Sequence, residues 1–336
     1  MTLNNIIQSI VFLIILILLA KPLGIYMARI FEGKPVVLNK WFLPIERLIY
    51  RLCGINAEEE MSWKTYTFSM MAFNIIGLLT VYLLQRFQHL LPLNPMNMPA
   101  VSPDSAFNTA VSFATNTNWQ GYAGETTMSY LTQMLGLTVQ NFVSAATGIA
   151  MLIALVRGFI RREANDIGNF WVDLVRATLY ILLPLSILLS VALVSQGVIQ
   201  TFKPAAAIEL VQPITGSDGK QVTTQILPWG PVASEVAIKQ LGTNGGGFFN
   251  VNSSHPFENP TPLSNLLEMV AILVISAALC YTFGYMVKDR RQGWALLIAM
   301  LIIFVPCLLI CIQIEQAGNP VFADLGVDQS ASALQP

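Results

Sequence analysis

Apolar residues along this chain come in long runs rather than in strict alternation. Six runs, at positions 5–27, 65–85, 133–156, 172–195, 266–287 and 294–314, each approach the ~20 residues that a helix needs to cross a bilayer. The first is preceded by no Lys or Arg and followed by no small-residue cleavage site. It reads as a transmembrane helix running through Lys21-Pro22 towards Met27, not as a cleaved signal. Between the spans, two shorter patterns stand out. DSAFNTAVSFA (104–114) places Phe107, Ala110, Val111 and Ala114 on one face, with Ser102 as N-cap and Pro103 at the first helical position. VASEVAIKQL (232–241) follows Gly230-Pro231 in the same way. Helices of about 11 residues rise only some 16 Å, half a bilayer, so they dip in and return rather than span.

Basic residues give this pattern a direction. Lys21, Arg29, Lys34, Lys40, Arg47, Arg51 and Lys64 lie around the first inter-span loop. Arg157, Arg161, Arg162 and Arg176 flank the third-to-fourth junction, and Lys288, Arg290 and Arg291 the fifth-to-sixth. Only Arg86, Lys203, Lys220 and Lys239 of the 18 Lys and Arg fall elsewhere. Cytoplasmic loops carry the positive excess, which puts the N-terminus and both short helices outside. The expected organisation is an extra N-terminal helix (1–27), a cytoplasmic loop (28–64), a first membrane–pore–membrane repeat (65–157), a second (172–287), the first helix of a third (294–314) and an extracytoplasmic tail (315–336). Within the second repeat, residues 201–228 form a soluble insertion, AIELVQPI and QVTTQILP flanking Thr215–Gly219 as a small β-hairpin.

Composition agrees with the fold class, an all-α integral membrane protein. The chain is 54% hydrophobic and 11% charged, with a net charge of −1. Soluble domains carry about 25% charge. No basic cluster points to nucleic acid. Cys280, Cys307 and Cys311 sit inside apolar spans, where free cysteine behaves as a small hydrophobe, and no histidine lies near them to suggest a metal site.

The chemistry concentrates where the two short helices end. The first runs into TNTNWQGY (115–122), the second into GTNGGGF (242–248). Thr117-Asn118 aligns with Thr243-Asn244, Gly121 with Gly247 and Tyr122 with Phe248, an offset of 126 residues. A half-helix aims its C-terminal end, with roughly half a negative charge, at the membrane centre. The loop that follows returns outward with free carbonyls, and rings of carbonyls replace the water shell of a potassium ion. The competing reading is a pair of Gly-rich turns; their recurrence after half-length helices favours a filter. No Gly-Lys-Ser/Thr follows the glycines, so a phosphate loop is not indicated.

LNPMNMP, the stretch from FNTAVSFATNTNWQGY to SAATGIA, LGTNGGGFFNVNSSHPFENPTPLSN and DRRQG closely resemble the potassium-binding A subunit of the bacterial Kdp potassium-transporting ATPase, over essentially the whole chain. The resemblance implies the potassium transporter superfamily fold of four membrane–pore–membrane repeats, a potassium ion as the only cofactor or cargo, and a location in the bacterial cytoplasmic (inner) membrane. It implies an ATP-hydrolysing B subunit, a C subunit and a small F subunit as partners. It assigns Thr115, Asn116, Thr117, Asn118 and Gln120 to the first filter loop and Thr243, Asn244, Gly245, Gly246 and Gly247 to the second. The family's third and fourth filter loops have no counterpart here, so these residues are expected to supply half a ring. No Asp-Lys-Thr-Gly motif or P-loop is present, so the chain is expected to be non-catalytic. A channel-like transporter subunit and a non-binding scaffold fragment are the alternatives.

Other residues carry weaker expectations. Gln120 either tunes ion affinity, as the resemblance implies, or braces the loop. Trp119 wedges its loop against the short helix, and Phe248 and Phe249 pack. Asp104, Glu125, Glu235 and Glu258 read as solvated charges or caps in preference to a cation-attracting mouth, and Glu268 as the cap of the fifth span. Gln140, Asn141, Ser144, Thr147 and Gly148 share a face of the third span, suited to close helix packing more than to a tunnel. Pro184 and Pro306 are expected to kink their helices. NSSHPFENP (252–260) reads as a fixed turn behind the second loop.

Overall fold

A computed structural model describes residues 3–161, 166–215, 219–327 and 329. In chain order it contains α1 (Leu3–Phe31), α2 (Asn39–Cys53), α3 (Trp63–Phe87), α4 (Pro103–Ala114) and α5 (Gly124–Thr127). A π-helical stretch, Thr132–Thr138, runs into α6 (Val139–Ile160). The helices α7 (Phe170–Arg176) and α8 (Leu183–Ser195) are joined by a second π-helical stretch, Ala177–Leu182. The antiparallel strands β1 (Ala206–Thr215) and β2 (Gln221–Leu227) follow, then α9 (Val232–Leu241), α10 (Pro262–Met286), α11 (Arg290–Ala317) and α12 (Pro320–Asp324). Six helical runs are long and apolar enough to cross a membrane, each overlapping one of the expected spans. The centre of the hairpin turn, 216–218, and Arg162 lie outside the described residues.

Local chemistry sets where the helices begin. Ser62 accepts from the Thr65 amide at α3, and Asn169 from the amides of Trp171 and Val172 at α7. Thr261 and Ser264 form a reciprocal capping box at α10, the role expected of Glu268. Pro184 sits in the first turn of α8, directly after the π-helical stretch. Its ring crowds the carbonyl four residues back and it offers no amide, so the span leaves α geometry there instead of running straight through. Pro306 is carried within a continuous α11.

The loop expected at 28–64 contains α2, a helix the apolar-run criterion missed because it is amphipathic. On its inner side, buried Glu46 accepts from Tyr50 Oη (2.8 Å), Tyr180 Oη (2.6 Å) and Arg176 Nε (3.0 Å). Trp41, Ile45, Leu48 and Leu52 face outward.

Two clusters make up the core. The larger joins α1, α6, α7, α8, α9 and α10, around Ile153, Phe170, Ile181 and Val236; the smaller joins α3 to α4 around Val81, Ala110 and Phe113. Close approach of α1 to α10 rests on Gly24, where a Cβ would lie 2.6 Å from Ala278 O; Thr282 Oγ1 donates to the Gly24 carbonyl at 3.0 Å. The order span, short helix, loop, span occurs twice, at α3–α4–α6 and α7/α8–α9–α10, and it brings the two loops together at one point.

Candidate functional site

The two short helices end in the same backbone pattern. Past α4, the amides of Thr117 and Asn118 both donate to Ser112 O, at 2.9 and 3.1 Å. Past α9, the amides of Asn244 and Gly245 both donate to Lys239 O, at 3.0 and 3.1 Å. Asn116 and Thr243 adopt φ of +62° and +61°, Asn118 and Gly245 of +58° and +73°. At the helix ends the backbones therefore correspond with an offset of 127 residues, one more than the letter match of Thr-Asn to Thr-Asn. Helix termination is decided by which carbonyl captures the free amides, and side-chain identity does not report that. Asparagine tolerates the left-handed region; a β-branched threonine there is an outlier of the kind that clusters at functional sites.

The loops meet through Asn116. Its Nδ2 lies 3.4 Å from Gly242 O and 3.5 Å from Thr243 Oγ1, while its Oδ1 accepts from Ser144 Oγ (2.7 Å) and from Asn244 Nδ2. Thr115 Oγ1 and Thr117 Oγ1 are 3.0 Å apart. Gln120 Nε2 donates to Tyr122 Oη at 3.2 Å, which is the bracing geometry. Trp119 is 60% exposed, and its ring lies over Gly121, where a Cβ would come 2.9 Å from Trp119 Cη2.

Behind the second loop stands a buried polar scaffold. Lys239 Nζ donates to Gly247 O at 2.6 Å, and Ser253 Oγ to Gly246 O at 2.9 Å. Glu258 accepts from the amides of Phe249 (3.0 Å) and Ser253 (3.2 Å), and Gln240 Nε2 donates to Ser253 Oγ (3.0 Å) and Glu268 Oε2 (3.2 Å). Glu235, Glu258 and Glu268 are thus buried members of a network, not solvated charges or caps. Glu125 accepts from the Asn250 amide at 3.2 Å and ties the two loops on their outer side. Asp104 alone of the four matches the solvated reading; the Ser102 hydroxyl and nearby backbone amides hold its carboxyl below the usual range. Phe248 and Phe249 are buried, and His255 stacks on Phe249 with ring centroids 3.9 Å apart. The 252–260 turn does brace the second loop.

With Gly246 O and Gly247 O engaged from behind, the carbonyls of 115–120 and 243–245 accept no hydrogen bond among the described residues. They lie just past the C-terminal ends of α4 and α9, where the helix dipole is negative. Such a set, with threonine hydroxyls beside it, suits a dehydrated monovalent cation and offers little to an anion. On the helix side of the loops opens a cavity of about 520 Å³. Thr115, Asn116 and Thr243 stand at its loop end, and Ser144, Thr147 and Gly148 line its wall together with Met70 and Ile275. Part of the polar face of the third span therefore borders open space. Gln140 and Asn141 serve packing instead, Gln140 against Gly77 and Asn141 beside Gly242. The scaffold residues Lys239, Ser253 and Gln240 were not singled out from the sequence; the Glu235–Lys239 spacing of four was the available signal.

Burial raises the Glu258 carboxyl from 4.5 to about 7. Between those values the folded chain holds a proton that the unfolded chain has released. Stability of this turn is therefore full below 4.5, falls as pH rises through about 7, and is flat above, a change of roughly 3 kcal/mol. Protection of the Phe249 and Ser253 amides against hydrogen exchange is expected to be weaker at pH 8 than at pH 5. Glu258→Gln should flatten that dependence; an unaltered slope in the variant would assign it to another group.

The sequence profile of the potassium-transporting ATPase A subunit family matches residues 10–335. Proteins named potassium-transporting ATPase potassium-binding subunit share 63% identity over 332 residues in Herpetosiphon aurantiacus, 60% over 335 in Sorangium cellulosum and 57% over 355 in Methylococcus capsulatus. These matches take in 99%, 100% and 100% of this chain but 57%, 58% and 60% of the relatives, so the chain spans well under two thirds of their length. On the profile match and these identities, the chain belongs to the potassium-transporting ATPase A subunit family.

Proposed function

We propose that this chain is the potassium-binding, non-catalytic part of an ATP-driven potassium uptake pump. The observation that carries the reading is the paired loop: two half-length helices end in matching backbone turns, bridged by Asn116, with unengaged carbonyls at 115–120 and 243–245. Potassium is held by these carbonyls together with Thr115, Thr117 and Thr243, and passes into the cavity lined by Ser144 and Thr147. Asn118, Gln120, Asn244 and the three glycines shape the loops. The two span–short helix–span units act as repeats of one ion path, with the basic loops inside and the filter loops outside the bacterial cytoplasmic membrane. ATP is hydrolysed by a separate B subunit, with C and F subunits completing the complex. The names borne by the relatives support the same assignment.

The test is potassium or rubidium binding to the purified chain, alone and with its ATP-hydrolysing partner. Saturable binding is expected in the complex, and its absence in both preparations would sink the filter assignment. Gly246 has φ of +71°, and a Cβ there would lie 2.9 Å from Asn252 Oδ1. Gly246→Asp should abolish high-affinity uptake while the protein remains in the membrane.

A further inference from the structure

Lys239 is buried and contacts groups on three sides. It lies one turn before the C-terminal end of α9, the end whose dipole favours positive charge. Its side chain is 2% exposed. An ammonium has three donors. One reaches Gly247 O at 2.6 Å, one faces Glu235 Oε1 at 3.0 Å, and the third side lies over the Phe113 ring, 5.6 Å from its centroid. Phe113 belongs to α4, so one side chain joins the second loop, its own helix and the other short helix. In the 127-residue correspondence Lys239 stands where the first loop has Ser112, whose buried hydroxyl has no hydrogen-bond partner among the described residues. The clamp is thus particular to the second loop.

We propose that Lys239 is a positioning residue that sets the ion selectivity of the second loop; this rests on that loop being a cation filter. The ammonium holds Gly247 O from behind and, with Ser253 on Gly246 O, turns two successive carbonyls into anchors instead of ligands. The ligand run then ends at Gly245. The spacing of the Thr243, Asn244 and Gly245 carbonyls, on which discrimination between ions of different radius depends, is fixed by a buried side chain anchored to Gly247 O. The ammonium charge repels a potassium ion at the level of Gly247 and so marks the outer limit of the dehydrated site. Glu235, four residues away on the same helix face, pairs with Lys239 Nζ at 3.0 Å from the side away from the loop.

Lys239→Met keeps the volume and removes the donors. In the assembled membrane transporter, we expect the apparent affinity for potassium to fall about tenfold or more, the usual weight of a hydrogen bond to a charged group. We also expect the potassium-to-rubidium preference to change by about fivefold, because loop spacing, not merely loop stability, is lost. The double variant Glu235→Gln/Lys239→Met removes both charges, leaves no unpaired carboxylate, and should show the same change in preference. An unchanged potassium-to-rubidium ratio in both variants would overturn the proposal and leave Lys239 a packing residue, whatever happens to overall affinity. So would a double variant that fails to insert, which would assign the pair to folding alone. Gly246→Asp in the same assay separates this proposal from the reading beneath it. Normal uptake there would overturn the filter itself; lost uptake there with an unchanged ratio at Lys239 would overturn only the role given to Lys239.

Discussion

Gly247→Ala is expected to cost ion affinity by about a hundredfold or more, although it adds a single methyl group. The objection is space, not conformation: Gly247 is absent from the positive-φ residues. A Cβ built there lies 1.9 Å from Glu258 Oε1 and 2.5 Å from its Cδ. Glu258 cannot swing aside, because it is fully buried and its two oxygens hold the amides of Phe249 and Ser253. Displacing it strands two buried N–H groups and a carboxyl. A buried donor left unsatisfied costs about 1–3 kcal/mol, so the two stranded amides alone cost roughly 2–6 kcal/mol. Ser253 also donates to Gly246 O, and Lys239 to Gly247 O, so the distortion passes directly into the loop. The control is Gly148→Ala: a Cβ there meets nothing within 4 Å, although the residue borders the cavity. Rubidium binding, read beside membrane abundance, should be lost in the first variant and kept in the second. Wild-type affinity in Gly247→Ala would mean that the carboxylate and the loop are not coupled.

Much of this arrangement is legible in the sequence because it follows from length and period. The six spans are runs of apolar residues, and a membrane helix needs nothing more to be visible. The short helices at Pro103–Ala114 and Val232–Leu241 emerge close to their observed bounds because proline marks where each begins and Gly242 where the second stops. What stays hidden depends on which residues face one another across the fold. Glu235 and Glu258 read as solvated charges or caps and Glu268 as the cap of its span, since one chain position cannot show that Lys239, the Phe249 amide and Gln240 close over them. The helix α2 was hidden for a related reason: its inward side mixes Phe42 and Ile49 with the hydrogen-bonded Glu46, so no apolar run marks it. The one-residue difference between letter match and backbone match at the loops is of the same kind. Ser112 O and Lys239 O decide it, and both belong to the preceding helices.

The second large effect is expected far from the loops, at Asp173. This carboxylate in the first turn of α7 is wholly buried and receives both arms of Arg157, at 2.5 and 2.8 Å, with Tyr66 Oη at 3.1 Å. Arg157 also lies 3.2 Å from Ile167 O and 3.5 Å from Phe31 O, so the ends of α1 and α6 and the starts of α3 and α7 converge on one ion pair. Asp173→Ala leaves a guanidinium that cannot lose its proton among carbonyls that cannot balance its charge. Breaking a buried pair in this way costs about 3–5 kcal/mol, a large share of the ~5–15 kcal/mol by which most domains are stable. The variant should accumulate poorly, and the fraction recovered should unfold at a markedly lower temperature in detergent. Replacing both partners, as Arg157→Met/Asp173→Leu, removes the unpaired charge and should recover most of the loss, since apolar substitutes for a buried pair are often neutral. The recovered single variant should keep the wild-type potassium-to-rubidium preference, because no residue of this cluster touches the loops at 115–122 and 242–248. A loss below about 1 kcal/mol would show that water reaches Arg157 once Asp173 is gone, and that the junction is held by packing around Phe170 instead.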